Sequence, residues 1–201
     1  MNRNEKEIIE STKQFVYEQM NGETSGHDYE HSLRVYRMAT YLAEDLPVNN
    51  FVVSIAGLVH DLIDTKFIAD ENEAIQTLNY FLEGEGVIQR DVDSILEIIT
   101  TISYRKNSPL DSLEAEIVQD ADRLDAMGAI GIARAFTFGG NHDQLIYSAE
   151  SDDTTVQHFY DKLLKLYDLL NTEKAKEIGM KRHQLMQDYL IALLADIQSD
   201  Y

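Results

Sequence analysis

Apolar residues recur every three or four positions along most of the chain, and almost no segment alternates with a period of two. In residues 5–19, Ile8, Phe15 and Val16 fall on one face of a helix. The chain contains only 2 prolines, so long stretches are free of the residue that most strongly interrupts a helix. The pattern therefore predicts an all-α fold.

Breaks in this periodicity divide the chain into helices. Residues 51–62 are apolar nearly all round, which is typical of a central helix. The Gly139-Gly140-Asn141 segment is predicted to form a turn, and Thr172 to cap the last helix. Since no repeat or linker is found, we expect one domain over residues 1–201, with a core over about 26–125 and C-terminal helices over about 126–200. The predicted helices cover residues 5–19, 29–44, 51–62, 71–83, 88–102, 113–122, 126–136, 155–169 and 173–197.

Composition is that of an ordinary globular protein, with 44% hydrophobic and 26% charged residues. The absence of cysteine excludes disulfides, thiolate metal sites and a cysteine nucleophile. The opening residues MNRNEKEIIE lack the apolar run of a signal peptide. No stretch approaches the ~20 apolar residues that a membrane span needs. We therefore expect a cytoplasmic protein without a membrane partner.

The charge balance is strongly acidic, with 17 Lys+Arg against 36 Asp+Glu and a net charge of −19. This argues against stable nucleic-acid binding, which usually requires a basic face. A small anionic substrate is still compatible with the charge. The charge of distant carboxylates is screened over a Debye length of about 8 Å, so a local cation determines the electrostatic potential inside a pocket.

Four polar residues stand on or beside apolar runs. His31 shares the apolar stripe of its helix, His60 and Asp61 end the run SIAGLVHD, and Asp122 follows another apolar run. A single buried histidine is usually an ordinary core residue, but buried carboxylates need a partner. If the helices converge in a bundle, a divalent cation would neutralise the two carboxylates. Such a mixed ligand set suits Mn²⁺, Fe²⁺, Ni²⁺ or Mg²⁺ with two open positions better than a closed zinc site.

The order of these residues, with His31 inside HSLRV and His60-Asp61 inside LVHDLID, resembles the HD-domain metal-dependent phosphohydrolase superfamily. The segments GHDYEHSLRV, QDADRLDAMGAIGIARAFTFGG, HFYDKLLKL and NTEKAKEIGMKRH are similar to the stand-alone bacterial HD hydrolases, and the likeness runs from about residue 26 to 197. The resemblance implies an HD-type helical bundle in which His31, His60, Asp61 and Asp122 ligate a divalent ion. Mn²⁺ is the expected ion, with Mg²⁺, Fe²⁺, Ni²⁺ or Co²⁺ as alternatives.

The resemblance also implies hydrolysis of a phosphate ester or anhydride by a water that the metal activates. Some members of the group release pyrophosphate from nucleoside triphosphates, so a nucleotide is the expected substrate and partner. A phosphodiesterase or nucleotidase with the same centre is one alternative. A non-catalytic helical module that senses a metal or a nucleotide is another. The oligomeric state is left open.

Further residues are assigned around this centre. Asp64, four residues after His60, is expected to move the proton of the attacking water or to orient a ligand, and its alternative is a surface ion pair with Lys66. Lys66 and Arg105 are expected to contact phosphate. His27, one helical turn before His31, competes with it for the role of first metal ligand. His31 is preferred because it lies on the apolar stripe and in HSLRV, so His27 is expected to contact the substrate or to support a ligand, or else to belong to the helix-capping region.

Residues beside the expected ligands receive structural roles. Arg34 and Arg123 are expected to form structural ion pairs, and Asp125 to support a ligand or cap its helix. His142, His158 and His183 lack partners at metal-ligand spacing, so surface or ordinary structural roles are expected for them.

Overall fold

The computed structural model describes residues 4–20, 28–63, 70–102 and 110–199. Across these ranges the regular elements are helices, apart from one isolated bridge between Leu145 and Thr154. The predicted all-α class is therefore confirmed. The helices are α1 (Glu5–Gln19), α2 (Tyr29–Ala43), α3 (Asn50–Val59), α4 (Glu71–Gly84), α5 (Gln89–Thr101), α6 (Leu113–Asp125), α7 (Gly128–Asn141), α8 (Thr155–Asp161) and α9 (Glu173–Gln198), with 3₁₀ turns at Leu163–Lys165 and Tyr167–Leu169.

Contacts along the chain group into two compact units, Met1–Asp122 and Arg123–Tyr201. The division falls inside α6, directly after Asp122, so the N-terminal unit contains all four expected metal ligands. The expectation of one domain over residues 1–201 stays a prediction.

Helix α3 is the centre of the N-terminal unit, as its uniformly apolar sequence predicts. Every residue from Phe51 to Val59 is buried, and α1, α2 and α5 pack around the helix. Gly57 allows α2 to approach closely, because a Cβ atom added there would lie 3.3 Å from the Cα atom of Tyr36. The lack of a side chain at Gly57 thus sets the spacing between α2 and α3.

Asn49 fixes the start of α3. Its side chain accepts hydrogen bonds from the backbone N–H groups of Phe51 and Val52, which satisfies donors that the first turn leaves unpaired. Its own backbone N–H donates to Glu114 at 3.0 Å, and its side-chain amide donates to Asp91 at 3.2 Å. One residue therefore joins the start of α3 to α6 and α5.

Two predictions for the C-terminal unit are wrong. The expected turn at Gly139-Gly140-Asn141 is the last turn of α7, and a Cβ atom added at Gly139 would clash with the Thr155 hydroxyl. Gly139 therefore serves close packing within this unit rather than chain reversal. The single helix expected over 155–169 instead ends at Asp161 and continues as 3₁₀ turns. These turns bring Leu170 against α9 where Gly179 leaves no side chain, a packing that local periodicity does not reveal.

Helix α9 begins where the sequence predicts. The Thr172 hydroxyl accepts a hydrogen bond from the backbone N–H of Ala175 at 3.4 Å, so Thr172 is the expected N-cap. Met186 and Leu190 are buried along its inner face. In the part of the chain that the structure describes, no helix combines the length and apolar character needed to cross a membrane.

Candidate metal centre

His31 lies in the first turn of α2, and the residue that begins this helix holds that turn. The Asp28 carboxylate accepts a hydrogen bond from the backbone N–H of His31 at 2.8 Å, the arrangement of an N-cap. The predictions from sequence did not include Asp28. An acidic N-cap residue immediately before the periodic segment is the signal that could have identified it.

His60 and Asp61 follow the end of α3 instead of lying within it. The predicted helix over 51–62 is therefore too long, because α3 ends at Val59 and the chain continues as a turn closed by a hydrogen bond from Leu62 N–H to the Val59 carbonyl at 3.0 Å. His60 and Asp61 therefore stand where the helical hydrogen-bond pattern changes to this turn.

The His60 ring is oriented by the backbone of its own helix. Its Nδ1 atom bonds to the Gly57 carbonyl oxygen at 3.0 Å, which leaves Nε2 as the free edge of the imidazole. A backbone partner on the far nitrogen is the usual way in which a metal-binding histidine is held in one tautomer. No sequence pattern could have identified this contact, because a main-chain oxygen makes it.

The four predicted side chains meet at one point. The Nε2 atoms of His31 and His60 are 3.1 Å apart. The two Asp61 oxygens lie 3.2 Å from His31 Nε2 and 3.4 Å from His60 Nε2. Asp122 Oδ1 lies 3.5 Å from His31 Nε2 and 3.7 Å from His60 Nε2.

These distances suit a shared cation. Two ligands at right angles around an ion with bonds of ~2.1 Å are about 3.0 Å apart, so separations slightly above that value need only small adjustments. His31, His60 and Asp122 each offer one ligand atom within 4.8 Å of the others, and Asp61 touches both histidines. Elsewhere in the described ranges, no second group of three such residues is found.

Exposure increases across the cluster from the histidines to Asp122. The side chains of His31 and His60 are 0% and 3% exposed, while those of Asp61 and Asp122 are 11% and 42% exposed. The imidazoles therefore form the buried side of the centre. A ligand from solvent would reach it from the Asp122 side.

The electrostatics of the cluster favour positive charge at its centre. Burial by itself lowers the pKa of His60, but the carboxylates of Asp61 and Asp122 outweigh burial and raise the pKa of His60 to about 9. Burial raises the pKa of Asp122, but the hydrogen bond and the charge of His60 outweigh it and lower the pKa of Asp122 to about 2. The same preference for positive charge would be met by a bound cation.

Four other predicted site residues, His27, Asp64, Lys66 and Arg105, lie outside the described residues. Their expected roles in proton transfer and phosphate contact stay predictions. Asp125 is described, and it forms a buried ion pair with Arg134 of α7 at 2.7 Å.

The predicted family is confirmed by comparison with known proteins. The HD-domain family model matches residues 28–127, a range that includes all four clustered side chains. YpgQ of Bacillus subtilis is 38% identical over 192 residues, which cover 94% of this chain and 93% of YpgQ. The chain therefore belongs to the HD-domain family.

Solved structures agree over nearly the whole chain. The crystal structure of Lin1889 from Listeria innocua matches with a TM-score of 0.84 at 36% sequence identity. The match covers 99% of this chain and 100% of Lin1889. The crystal structure of YpgQ in complex with ADP has a TM-score of 0.84 at 38% identity, covering 95% of this chain and 98% of that one. An HD-superfamily hydrolase from Bacillus thuringiensis has a TM-score of 0.83 at 36% identity, and the match covers 98% of this chain and 100% of that hydrolase.

Proposed function

We propose that this protein is a metal-dependent phosphohydrolase whose centre is His31, His60, Asp61 and Asp122. The observation that carries the proposal is the 3.1 Å approach of two imidazole Nε2 atoms beside two carboxylates. Membership of the HD-domain family, which includes HD-superfamily hydrolases, supports the same reaction class.

The carboxylates and the histidines would have different roles at this centre. The two carboxylates would balance the charge of a divalent cation, and the two histidines would hold it from the buried side. When bound, the ion would lower the pKa of a water molecule and polarise a phosphoryl oxygen. Four protein ligands would leave two of six coordination positions open. The exposure of Asp122 gives substrate an approach to that side.

A nucleoside triphosphate is the substrate class we propose. YpgQ, which is 38% identical to this chain, was crystallised with ADP, and this supports a nucleotide ligand. In the proposed reaction, water attacks the α-phosphorus and the bond from that phosphorus to the bridging oxygen breaks. The products are a nucleoside monophosphate, which keeps the oxygen of the water, and pyrophosphate. The two protons of the water pass to the products or to solvent. Asp64 is the proposed proton acceptor, and Lys66, Arg105 and His27 are the proposed substrate contacts.

Elemental analysis of the purified protein, followed by a substrate panel, tests the proposal. Mn²⁺, Mg²⁺, Co²⁺, Ni²⁺ and Fe²⁺ would each be supplied with nucleoside triphosphates, nucleoside monophosphates and cyclic diesters. Pyrophosphate release with Mn²⁺ is the expected result. Phosphate release from monophosphates, or opening of a cyclic diester, would instead indicate the nucleotidase or phosphodiesterase alternative. Binding without turnover under every metal would indicate the sensing module.

A pair of variants links the activity to the centre. His60→Ala should abolish metal binding and turnover, whereas His142→Ala, which removes an exposed histidine of α7's C-cap, should leave both unchanged. Each protein would be treated with a chelator and then resupplied with metal before assay. Wild-type turnover by His60→Ala after this treatment would contradict the assignment.

A further inference from the structure

The place of His31 in α2 makes this expected ligand depend on the first turn of the helix. His31 is the third residue of α2, and the first four N–H groups of a helix have no carbonyl partner within it. Helix ends therefore open more easily than helix interiors. A metal ligand in the first turn contributes to the centre only while that turn is closed.

Asp28 bonds the main chain of this turn in two ways. Its carboxylate accepts a hydrogen bond from the backbone N–H of His31 at 2.8 Å, and its backbone carbonyl accepts one from Ser32 N–H at 3.2 Å. The group that the carboxylate holds is thus the main chain of the expected ligand itself. A negative charge at this position also interacts favourably with the positive end of the helix dipole.

Side chains of neighbouring positions hold the same turn against the end of α1. The buried Ser32 hydroxyl donates to the Met20 sulfur at 3.4 Å. The ring of Tyr29 meets that of Tyr17 edge to face, with their centroids 5.3 Å apart. These contacts fix where the turn lies, whereas the Asp28 carboxylate bonds the backbone of the turn directly.

The N-terminal unit contains a second aspartate in the same capping role. Asp70 begins α4 and accepts hydrogen bonds from the backbone N–H groups of Asn72 and Glu73 at 2.8 and 3.3 Å. Neither of those residues is among the expected ligands. Asp28 and Asp70 therefore match in residue type and in capping role, and they differ in what the capped turn carries.

We propose that Asp28 is a positioning residue for the metal centre, an inference that rests on the proposed function. By keeping the first turn of α2 closed, Asp28 holds Nε2 of His31 at its distances of 3.1–3.5 Å from the other three ligands. Without this cap, a fraction of the molecules would have the turn open. The apparent Mn²⁺ affinity would then fall by the same factor as the fraction of binding-competent molecules. Saturating Mn²⁺ should restore the closed turn, so turnover at saturation should be unchanged.

Two substitutions of Asp28 and one matched control test this role. Asp28→Ala removes the cap, Asp28→Ser replaces the carboxylate with another good capping group, and Asp70→Ala removes the cap of α4. Calorimetric titration would measure Mn²⁺ affinity. Hydrogen exchange of the metal-free proteins would be followed at the Ser32 amide, whose carbonyl partner every variant keeps. We expect Asp28→Ala to weaken Mn²⁺ affinity about fivefold, the equilibrium equivalent of one N-cap, and to speed this exchange. Asp28→Ser and Asp70→Ala should match wild type in both measurements.

Urea unfolding of the metal-free proteins separates positioning from stability. Asp28→Ala and Asp70→Ala should lower the unfolding midpoint to a similar extent, because each removes one cap. Equal Mn²⁺ affinity in these two variants would overturn the role of Asp28. A loss of Mn²⁺ affinity in Asp28→Ser equal to that in Asp28→Ala would overturn it as well, because the cap would then not be the cause. If Asp28→Ala does not fold, the milder Asp28→Gly decides: weakened Mn²⁺ affinity supports the proposal, and wild-type affinity overturns it.

Turnover distinguishes failure of this inference from failure of the proposed function. We expect Asp28→Ala to require more Mn²⁺ for half-maximal activity and to reach the wild-type kcat at saturation. If wild type hydrolyses no phosphorylated compound but Asp28→Ala alone binds Mn²⁺ more weakly, the hydrolase proposal fails and the role of Asp28 stands. If wild type hydrolyses nucleoside triphosphates and Asp28→Ala requires no more Mn²⁺ than wild type, only the inference about Asp28 fails. A wild-type protein that binds no divalent ion would overturn both.

Discussion

The two compact units hold buried charged groups in opposite arrangements. In the N-terminal unit, two carboxylates and two imidazoles point at one another within 3.1–3.7 Å. In the C-terminal unit, buried Asp125 faces Arg134 at 2.7 Å, and Arg182 donates to the Leu124 carbonyl near the end of α6. The first arrangement favours an added cation, while in the second the carboxylate already has a cationic partner.

This difference shows why burial alone does not identify a site. Asp122 and Asp125 stand three residues apart on α6, and Asp125 is the more buried of the two, with a side chain that is 5% exposed against 42% for Asp122. A paired buried charge contributes to structure, and removing one partner is strongly destabilising. A group of imidazoles and carboxylates whose ligand atoms lie close together is instead a candidate metal site.

The largest expected effect comes from the same substitution at these two positions. Asp122→Asn should reduce Mn²⁺ affinity by at least about 100-fold, because it removes a charged ligand. Asp125→Asn should lower the unfolding free energy by about 3 kcal/mol, because Arg134 loses its charged partner, and should leave Mn²⁺ affinity of the folded protein unchanged. Calorimetric titration and urea unfolding measure the two quantities.

Two results would contradict the separate roles of Asp122 and Asp125. Unchanged Mn²⁺ affinity in Asp122→Asn would remove Asp122 from the centre. A loss of Mn²⁺ affinity in folded Asp125→Asn equal to that of Asp122→Asn would show that the two carboxylates do not have separate roles.

The second prediction concerns the pH dependence of the metal-free protein. The pKa of His60 is raised from 6.5 to about 9 in the folded state. Its contribution is therefore fully present below pH 6.5 and is lost as pH rises through 9. The loss should be about 3 kcal/mol, at about 1.4 kcal/mol per pKa unit. Urea unfolding in a chelator between pH 6.5 and 9.5 measures it, and saturating Mn²⁺ should remove the effect. A flat profile in the chelator would contradict the assigned electrostatics.

The third prediction uses a glycine from each unit. Gly57→Ala places a Cβ atom 3.3 Å from the Tyr36 backbone, whereas a Cβ atom at Gly140 would meet nothing within 4 Å. Gly57→Ala should cost about 1–2 kcal/mol through overpacking and weaken Mn²⁺ affinity several-fold, because α2 and α3 carry His31 and lead to His60. Gly140→Ala should be neutral. Thermal unfolding and metal titration check both, and equal behaviour of the two variants would show that this helix spacing does not matter.

The smallest effect is expected from His158, whose pKa shifts in the opposite direction to that of His60. Burial is the main cause that lowers the pKa of His158 below 6.5, and Lys162 adds to it. The unfolded chain therefore binds the proton more readily, and stability is lost as pH falls below 6.5. His158→Gln should lessen that loss. Unfolding midpoints at pH 7 and pH 5 test the sign, and a larger loss in the variant than in wild type would contradict it.

Much of the fold could be predicted because it depends on neighbouring residues. The helix at Glu5–Gln19 and the cap at Thr172 follow from periodicity and local hydrogen bonding. The end of α3 at Val59 and the 3₁₀ turns after Asp161 could not be predicted, because tertiary packing competes with the local helical pattern there. The Gly57 carbonyl that orients His60 is likewise invisible in a pattern of side chains.

By itself, the sequence determined the helical class, the central position of α3 and the chemistry of His31, His60, Asp61 and Asp122, because periodicity and ligand type are properties of the residues themselves. The tertiary structure alone decided that these four side chains meet, that Asp122 faces them while Asp125 pairs with Arg134, and that the centre opens beside Asp122. The physical reason is that convergence depends on close packing between helices distant in sequence, such as the approach of α2 to α3 at Gly57.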